Sequence, residues 1–204
     1  MYKKIGFVAA LAVAAASLLT TNTNAAFQGM PKALLRSQSP RITLAMPTLP
    51  PIGHSLFCVQ YQQECEVRRM VFRPTKFELT VERWNQLAEV NQAVNRRITP
   101  ERNLLGLAGE RWIISPVAGD CNDYAVTKRY ELLARGWPSR TLLLAEVVTR
   151  WGEHHLVLVI RATDGDYVLD NLHSSVRPWS TTPYKWVRIQ TPANPRFWST
   201  LQPA

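Results

Sequence analysis

The segment Gly119-Asp120-Cys121-Asn122-Asp123-Tyr124 decides the fold of this chain. It begins a predicted helix that runs to about Arg135, because Gly136 is a typical residue after a helix end and Pro138 prevents continuation. Cys121 therefore lies in the first helical turn. Unpaired backbone N–H groups at a helix start favour a thiolate over a thiol, so we expect a lowered pKa for Cys121.

The spacing of apolar residues predicts which side of this helix is packed. Val126, Tyr130 and Leu133 recur at helical intervals and form the expected buried face. Lys128 and Arg129 fall between them, so we expect these two cations on the opposite, exposed face.

A second helix and a run of strands surround this segment. Helical periodicity extends from about Thr80 to Arg97 and ends before Pro100. After Pro138 the chain becomes β-rich, with a tight turn at 163–166. Helices followed by antiparallel strands are typical of an α+β fold. The predicted strands are Leu142–Val148, His154–Arg161, Tyr167–Asp170 and Tyr184–Ile189.

Two of these strands carry a histidine and a carboxylate that could act with the cysteine. His155 begins one strand and Asp170 ends the next, and neighbouring antiparallel strands bring side chains about 5 Å apart. An aspartate there can fix the tautomer of an imidazole. His154 is a rival base, but adjacent strand residues face opposite sides, so only one of the two histidines can reach Cys121. Asp170 could instead cap the turn at Asn171.

The N-terminus is typical of an export signal. Lys3 and Lys4 precede an apolar, Ala-rich run over 5–19, and small residues follow up to Ala26. The run is short for a membrane span, which needs about 20 residues. We therefore expect residues 1–26 to be a cleaved signal peptide and the mature protein to be periplasmic or secreted. An uncleaved anchor is the alternative.

Residues 27–53 and the cysteines complete the domain organisation. Residues 27–53 are rich in Pro, Ser and Thr, so we expect a poorly ordered lead-in to a domain over 54–204. Cys58 and Cys65 lie seven positions apart, and in an oxidising compartment we expect them to form a structural disulfide. Cys121 is then the odd thiol, which is either a buried small hydrophobe or a nucleophile.

Charge and motif spacing exclude other classes. The net charge is +9, but the basic residues are scattered without a basic tail, so we do not expect nucleic-acid binding. A zinc site from Cys121 and His155 is disfavoured because the sequence lacks a CxxC or HxxxH spacing.

Taken in order, these motifs resemble the bacterial transglutaminase-like cysteine peptidases, which include the LapG-type periplasmic proteases. The resemblance covers about residues 55 to 200. It implies a papain-like α+β fold, with the nucleophile at a helix N-terminus packed against an antiparallel sheet. Cys121 would be the nucleophile, His155 the base and Asp170 the orienting residue. The resemblance favours His155 over His154, which would then lie on the outer face. The segments that carry it are 119–125, 136–138, 155–158 and 168–172, with Trp84, Asn95, Pro178-Trp179 and Tyr184.

The resemblance also implies a substrate, a partner and a cation. LapG-type proteases cut a large surface adhesin near its N-terminus and are held by an inner-membrane cyclic-di-GMP receptor. They bind calcium through acids that flank the nucleophile. Asp120 matches one of these acids, whereas Asn122 stands where the family usually has Glu. An amide oxygen can still ligate calcium, but the site has one negative charge fewer. No other cofactor is expected.

The sequence is compatible with three functions. The same three residues serve a thiol peptidase or a transglutaminase-type acyl transferase, because the acceptor is chosen by cleft shape and water access. The third reading is a non-catalytic module whose cleft binds a protein partner.

Overall fold

A computed structural model describes residues 40–67, 77–104 and 106–202 of the chain. The proposed signal peptide (1–26) and residues 27–39 lie outside the described residues. The helices are α1 (Ile52–Gln60), α2 (Val81–Arg97) and α3 (Cys121–Ala134). The strands are β1 (Leu44–Thr48), β2 (Thr99–Pro100), β3 (Ala118–Gly119), β4 (Leu142–Val148), β5 (His154–Ala162), β6 (Gly165–Leu169), β7 (Arg177–Pro178), β8 (Lys185–Gln190) and β9 (Trp198–Leu201).

An antiparallel sheet forms the centre of the fold, with the strand order β1-β9-β8-β4-β5-β6-β7. Its two faces bury two sets of apolar side chains. Leu156, Leu158 and Ile160 of β5 pack towards the helices, whereas Val157 and Val159 pack into a second core on the other face. This alternation is the period of two expected of a strand. The predicted α+β fold with an antiparallel sheet is confirmed.

Helix α2 follows the sequence prediction closely. Thr80 is its N-cap, and the Thr80 hydroxyl accepts a hydrogen bond from the Arg83 N–H at 3.3 Å. Leu87, Val90 and Val94 are fully buried, as the helical periodicity of this segment predicts for its packed face, whereas Val81 at the helix start is exposed. The helix therefore packs one face against the core and presents the other to solvent.

The segment over 40–53 differs from the expected poorly ordered lead-in. Its strand β1 pairs with β9, and Ile42 is only 3% exposed. The Ile42 N–H donates to Asp166 at 2.7 Å, and Arg161 donates to the Ile42 carbonyl at 2.7 Å. These partners lie more than a hundred positions away in sequence, so local composition could not indicate them. The ordered fold begins before residue 54.

The prediction that Lys128 and Arg129 lie on an exposed face of α3 is wrong. Lys128 and Arg129 are 1% and 2% exposed, whereas Tyr130 is 43% exposed. Arg129 donates to Glu64 at 2.9 Å, which satisfies its charge inside the protein. The Lys128 ammonium lies 5.9 Å from the ring centre of Tyr124, and burial lowers the pKa of Lys128 to about 7.

The expected disulfide links helix α1 to the segment that follows it. Cys58 and Cys65 are joined, with their Cα atoms 5.5 Å apart. His54, one turn before Cys58, is buried against Trp198, whose indole N–H donates to its Nδ1 at 3.3 Å. Burial, aided by the charge of Arg129, lowers the pKa of His54 to about 3. This histidine is therefore neutral at physiological pH.

No helix within the described ranges is both long enough and apolar enough to span a membrane.

Candidate active site

A cleft of about 830 Å³ opens where the start of α3 meets the start of β5. Cys121 and His155 both line it, together with Asp120 and Leu156. The structure therefore brings the predicted nucleophile and the predicted base to one cavity.

The start of α3 is fixed by reciprocal hydrogen bonds. The Asp120 carboxylate accepts from the Asn122 N–H at 2.9 Å, and Asp123 accepts from the Asp120 N–H at 3.0 Å, which is a capping box. Gly119 is required here because a Cβ at this position would lie 2.2 Å from an Asp123 carboxylate oxygen. The residues around Cys121 thus set the direction in which α3 begins.

His155 and Asp170 form a buried pair. His155 Nε2 lies 2.8 Å from Asp170 Oδ1, and the side chains are 6% and 3% exposed. The Tyr184 hydroxyl donates to the second oxygen of Asp170, and the Leu172 N–H donates to Oδ1 at 3.0 Å. Burial alone would raise the pKa of Asp170. The bonds from His155, Tyr184 and Leu172 outweigh it and hold that pKa at about 2.

The pairing with Asp170 distinguishes the two ring nitrogens of His155. Nε2 is bonded to the carboxylate, and Nδ1 is the ring nitrogen outside this pair. Tyr184 also packs against the imidazole, with ring centres 5.8 Å apart. Sequence reasoning did not assign a role to Tyr184, since its contact with Asp170 joins segments that lie apart in the chain.

The electrostatic environment of Cys121 differs from the sequence prediction. Burial raises the pKa of the Cys121 thiol to about 12, and the negative charges of Asp120, Glu110 and Asp170 add to this rise. The N–H of Leu156 opposes it only in part. The expected lowered pKa of Cys121 is therefore wrong, because burial and nearby carboxylates outweigh the effect of the helix start.

A comparison with known protein families identifies the family of this chain. The family model of the bacterial transglutaminase-like cysteine proteinases (BTLCP) matches residues 44–204. The chain belongs to this family. The family expected from the sequence is confirmed by that match. No curated protein sequence matches the chain.

Solved structures of one proteinase resemble the chain. Calcium-bound Legionella pneumophila LapG is 24% identical, with a TM-score of 0.51, covering 63% of this chain and 75% of that one. This likeness shows the fold. EGTA-treated LapG from the same organism is 28% identical, with a TM-score of 0.45, covering 52% of this chain. The present chain spans 61% of the length of that structure.

The other histidine of β5, His154, borders the cleft as well. The expectation that His154 occupies the outer face is wrong, because its side chain, 71% exposed, lines the same cavity as Cys121. Its Nδ1 lies 2.6 Å from Glu146, which also accepts from Arg188. The start of β5 stands at the mouth of the cleft, so both faces of the strand border it there.

Acidic and amide side chains lie close to Cys121 in the cleft. Glu110, which sequence reasoning missed, accepts hydrogen bonds from Trp112 at 2.9 Å and from the Asn122 amide at 3.3 Å. Burial and the negative charge of Glu110 are among the causes that raise the pKa of Asp120. Asp120, Asn122 and Glu110 all carry side-chain oxygens, which is the type of donor that calcium prefers, and Asn122 contacts Glu110 directly. The donor types present are therefore compatible with a calcium ion.

Proposed function

We propose that this chain is an exported cysteine peptidase that cleaves a protein substrate. Cys121 is the nucleophile, His155 the general base and Asp170 the residue that orients the imidazole. The observation that carries the proposal is the cleft in which Cys121 and a His155 already paired with Asp170 stand together. Membership in the proteinase family supports the same assignment.

The proposed reaction has two halves. His155 Nδ1 takes the thiol proton, and the Cys121 sulfur forms a bond to the carbonyl carbon of the scissile peptide. The C–N bond then breaks as His155 returns the proton to the leaving amine, leaving a thioester on Cys121. In the second half, water gives a proton to His155 and its oxygen attacks the thioester, which releases the acid and restores the thiol.

Asp170 and Tyr184 prepare the imidazole for this cycle. A carboxylate with a pKa of about 2 stays ionised at every physiological pH, so it stabilises the imidazolium that forms during attack. The backbone N–H of Cys121 is the proposed oxyanion donor, because the N–H groups of Asp120 and Asn122 are already bonded within the capping box.

Calcium is proposed at Asp120, Asn122 and Glu110. LapG has been solved in a calcium-bound form, and its fold is shared by this chain. Glu110 would supply a negative charge that Asn122 lacks relative to the usual family glutamate. A bound divalent cation would offset the carboxylate charges that raise the pKa of the Cys121 thiol.

The substrate class and location follow from the family resemblance. We propose that the substrate is a large surface adhesin and that an inner-membrane cyclic-di-GMP receptor regulates the enzyme, as in the LapG-type proteases. Export rests on the signal-like residues 1–26, and it agrees with the Cys58–Cys65 disulfide, which an oxidising compartment favours.

A peptide-library digest tests the proposal. The mature protein is incubated with a proteome-derived peptide library, and new termini are identified by mass spectrometry. We expect cleavage products with the wild-type protein that are absent with Cys121→Ala. Identical product sets in both proteins would overturn the assignment of Cys121.

The same digest separates hydrolysis from acyl transfer. With methylamine present, a transglutaminase-type enzyme yields amide-linked adducts, whereas a peptidase yields free carboxylates. A protein that binds library peptides without converting them would be a binding module.

A further inference from the structure

The loop that begins with Asp170 connects β6 to β7 and carries the proposed orienting carboxylate. Asp170 stands directly after the last residue of β6, Leu169, where the strand ladder has ended. The position of its main chain therefore depends on contacts other than sheet hydrogen bonds.

Two asparagines on α2 supply such contacts. Asn95 Nδ2 donates to the carbonyl of Asp170 at 2.9 Å and to that of His173 at 3.3 Å. Asn91, one helical turn earlier, donates to the carbonyls of His173 and Ser174, both at 3.0 Å. Both amide groups thus spend their N–H donors on the main chain of one loop.

The side-chain oxygens of the same asparagines indicate that these residues act through their N–H donors. Asn91 Oδ1 and Asn95 Oδ1 are buried, and neither has a hydrogen-bond partner within the described ranges 40–67, 77–104 and 106–202. An unpaired buried acceptor costs free energy. A leucine of similar size would fill the same space without that cost, but it could not hold the loop carbonyls.

Asp170 is consequently held from two directions. Its carboxylate is bound by His155, Tyr184 and the Leu172 N–H. Its backbone carbonyl accepts a hydrogen bond from Asn95. If the main chain at 170–174 shifts, the carboxylate tips away from His155 Nε2. A displacement of about 1 Å is enough to cost a large part of a catalytic rate.

We propose that Asn91 and Asn95 are positioning residues that fix the orienting carboxylate of the active site. They act through the loop over 170–174 and do not touch the reacting atoms. The inference rests on the proposed function, in which Asp170 orients His155.

The test compares Asn95→Leu and Asn91→Leu with a matched control, Asn85→Leu. Asn85 lies on the exposed face of the same helix, and Asn85→Leu makes the same change of residue type. The probe is iodoacetamide, and the alkylation rate of Cys121 at pH 7 is followed by mass spectrometry. We expect alkylation to slow about tenfold in Asn95→Leu and by a smaller factor in Asn91→Leu, with Asn85→Leu unchanged.

A second readout reports the His155–Asp170 bond itself. In ¹⁵N-labelled protein, an imidazole N–H bonded to a carboxylate gives a strongly downfield proton resonance. We expect this resonance in wild type and in Asn85→Leu, and its shift or loss in Asn95→Leu. Asn95→Gln keeps an amide donor on a longer stem, so it should retain more of both signals. It also serves as the test variant should Asn95→Leu fail to fold.

The outcomes separate this inference from the proposed function. A lowered melting temperature with unchanged alkylation and unchanged resonance would overturn the inference and leave the asparagines a purely structural role. If wild type and His155→Ala are alkylated equally fast, the proposed function itself fails. A His155-dependent rate that all asparagine variants retain overturns the inference alone.

Discussion

His155 Nε2 lies 2.8 Å from Asp170 Oδ1, and both side chains are buried. His155 is the second residue of β5 and Asp170 directly follows β6, so the antiparallel pairing of these strands brings the ends that carry the two residues close together. The His155–Asp170 bond therefore joins the sheet to the loop that begins at Asp170.

Replacement of Cys121 should abolish cleavage while leaving the fold intact. Cys121 is half-buried and its thiol is proposed to serve chemistry, so Cys121→Ala should shift the melting temperature by no more than about 2–4 °C. Peptide cleavage and thermal denaturation measured on the same preparation check this. A melting temperature lowered far beyond that range would support an inert, packed cysteine instead.

The two adjacent histidines should differ sharply in their effect on the rate. His155→Ala removes the group that is bonded to Asp170, so we expect cleavage to fall by about three orders of magnitude or more. His154→Ala should change the rate by less than about tenfold, since His154 is largely exposed and paired with Glu146. Steady-state rates for both variants check the assignment. The reverse order would make His154 the base.

Asp170→Asn should keep the geometry but lose the charge that stabilises the imidazolium. We expect kcat to fall by about two to four orders of magnitude with little change in KM. Tyr184→Phe removes one hydrogen bond to the same carboxylate and should cost less than Asp170→Asn. Equal kcat values for wild type and Asp170→Asn would exclude the orienting role.

Acid should destabilise the protein through His54. Its pKa is about 3 in the folded state against an ordinary 6.5, so the unfolded chain binds the proton more readily between these values. The contribution of His54 to stability is therefore complete above pH 6.5 and is lost as the pH falls towards 3, by at most about 1.4 kcal/mol per pH unit. Denaturant unfolding of wild type and His54→Gln between pH 7 and 4 checks this. Parallel pH dependences in the two proteins would refute it.

Calcium affinity should rise when the usual family charge is restored. Asn122→Glu adds a carboxylate beside Asp120 and Glu110, so calorimetry should show tighter calcium binding than in wild type. Glu110→Gln should weaken it. Chelation with EGTA should slow cleavage by the wild-type protein if the site is occupied during turnover. Equal calcium affinities in wild type, Asn122→Glu and Glu110→Gln would remove calcium from these residues.

Elements with local signals could be predicted from the sequence. Helices α2 and α3 and strands β4 and β5 agree with the predictions within one or two residues, because their periodicity and caps lie within the element itself. The identities of Cys121, His155 and Asp170 followed from motifs, and the cleft brings the first two together while Asp170 bonds to the second.

Long-range interactions account for what the sequence did not indicate. Strand β1 exists because it pairs with β9 at the other end of the chain. The pKa of Cys121 was predicted from its place at a helix start, but burial and carboxylates from separate segments, including Glu110, determine its direction. Lys128 and Arg129 were placed outside by the helical pattern, whereas the fold buries both.

The most direct test of the account is the alkylation rate of Cys121 by iodoacetamide against pH, in wild type and in His155→Ala. The surroundings of the thiol raise its pKa to about 12, so the proposed mechanism requires the charge of an imidazolium at His155 to favour a thiolate near neutrality. We predict fast alkylation well below pH 8 in wild type and its loss in His155→Ala. Equally slow alkylation in both proteins across this range, with and without calcium, would contradict the paired nucleophile and base.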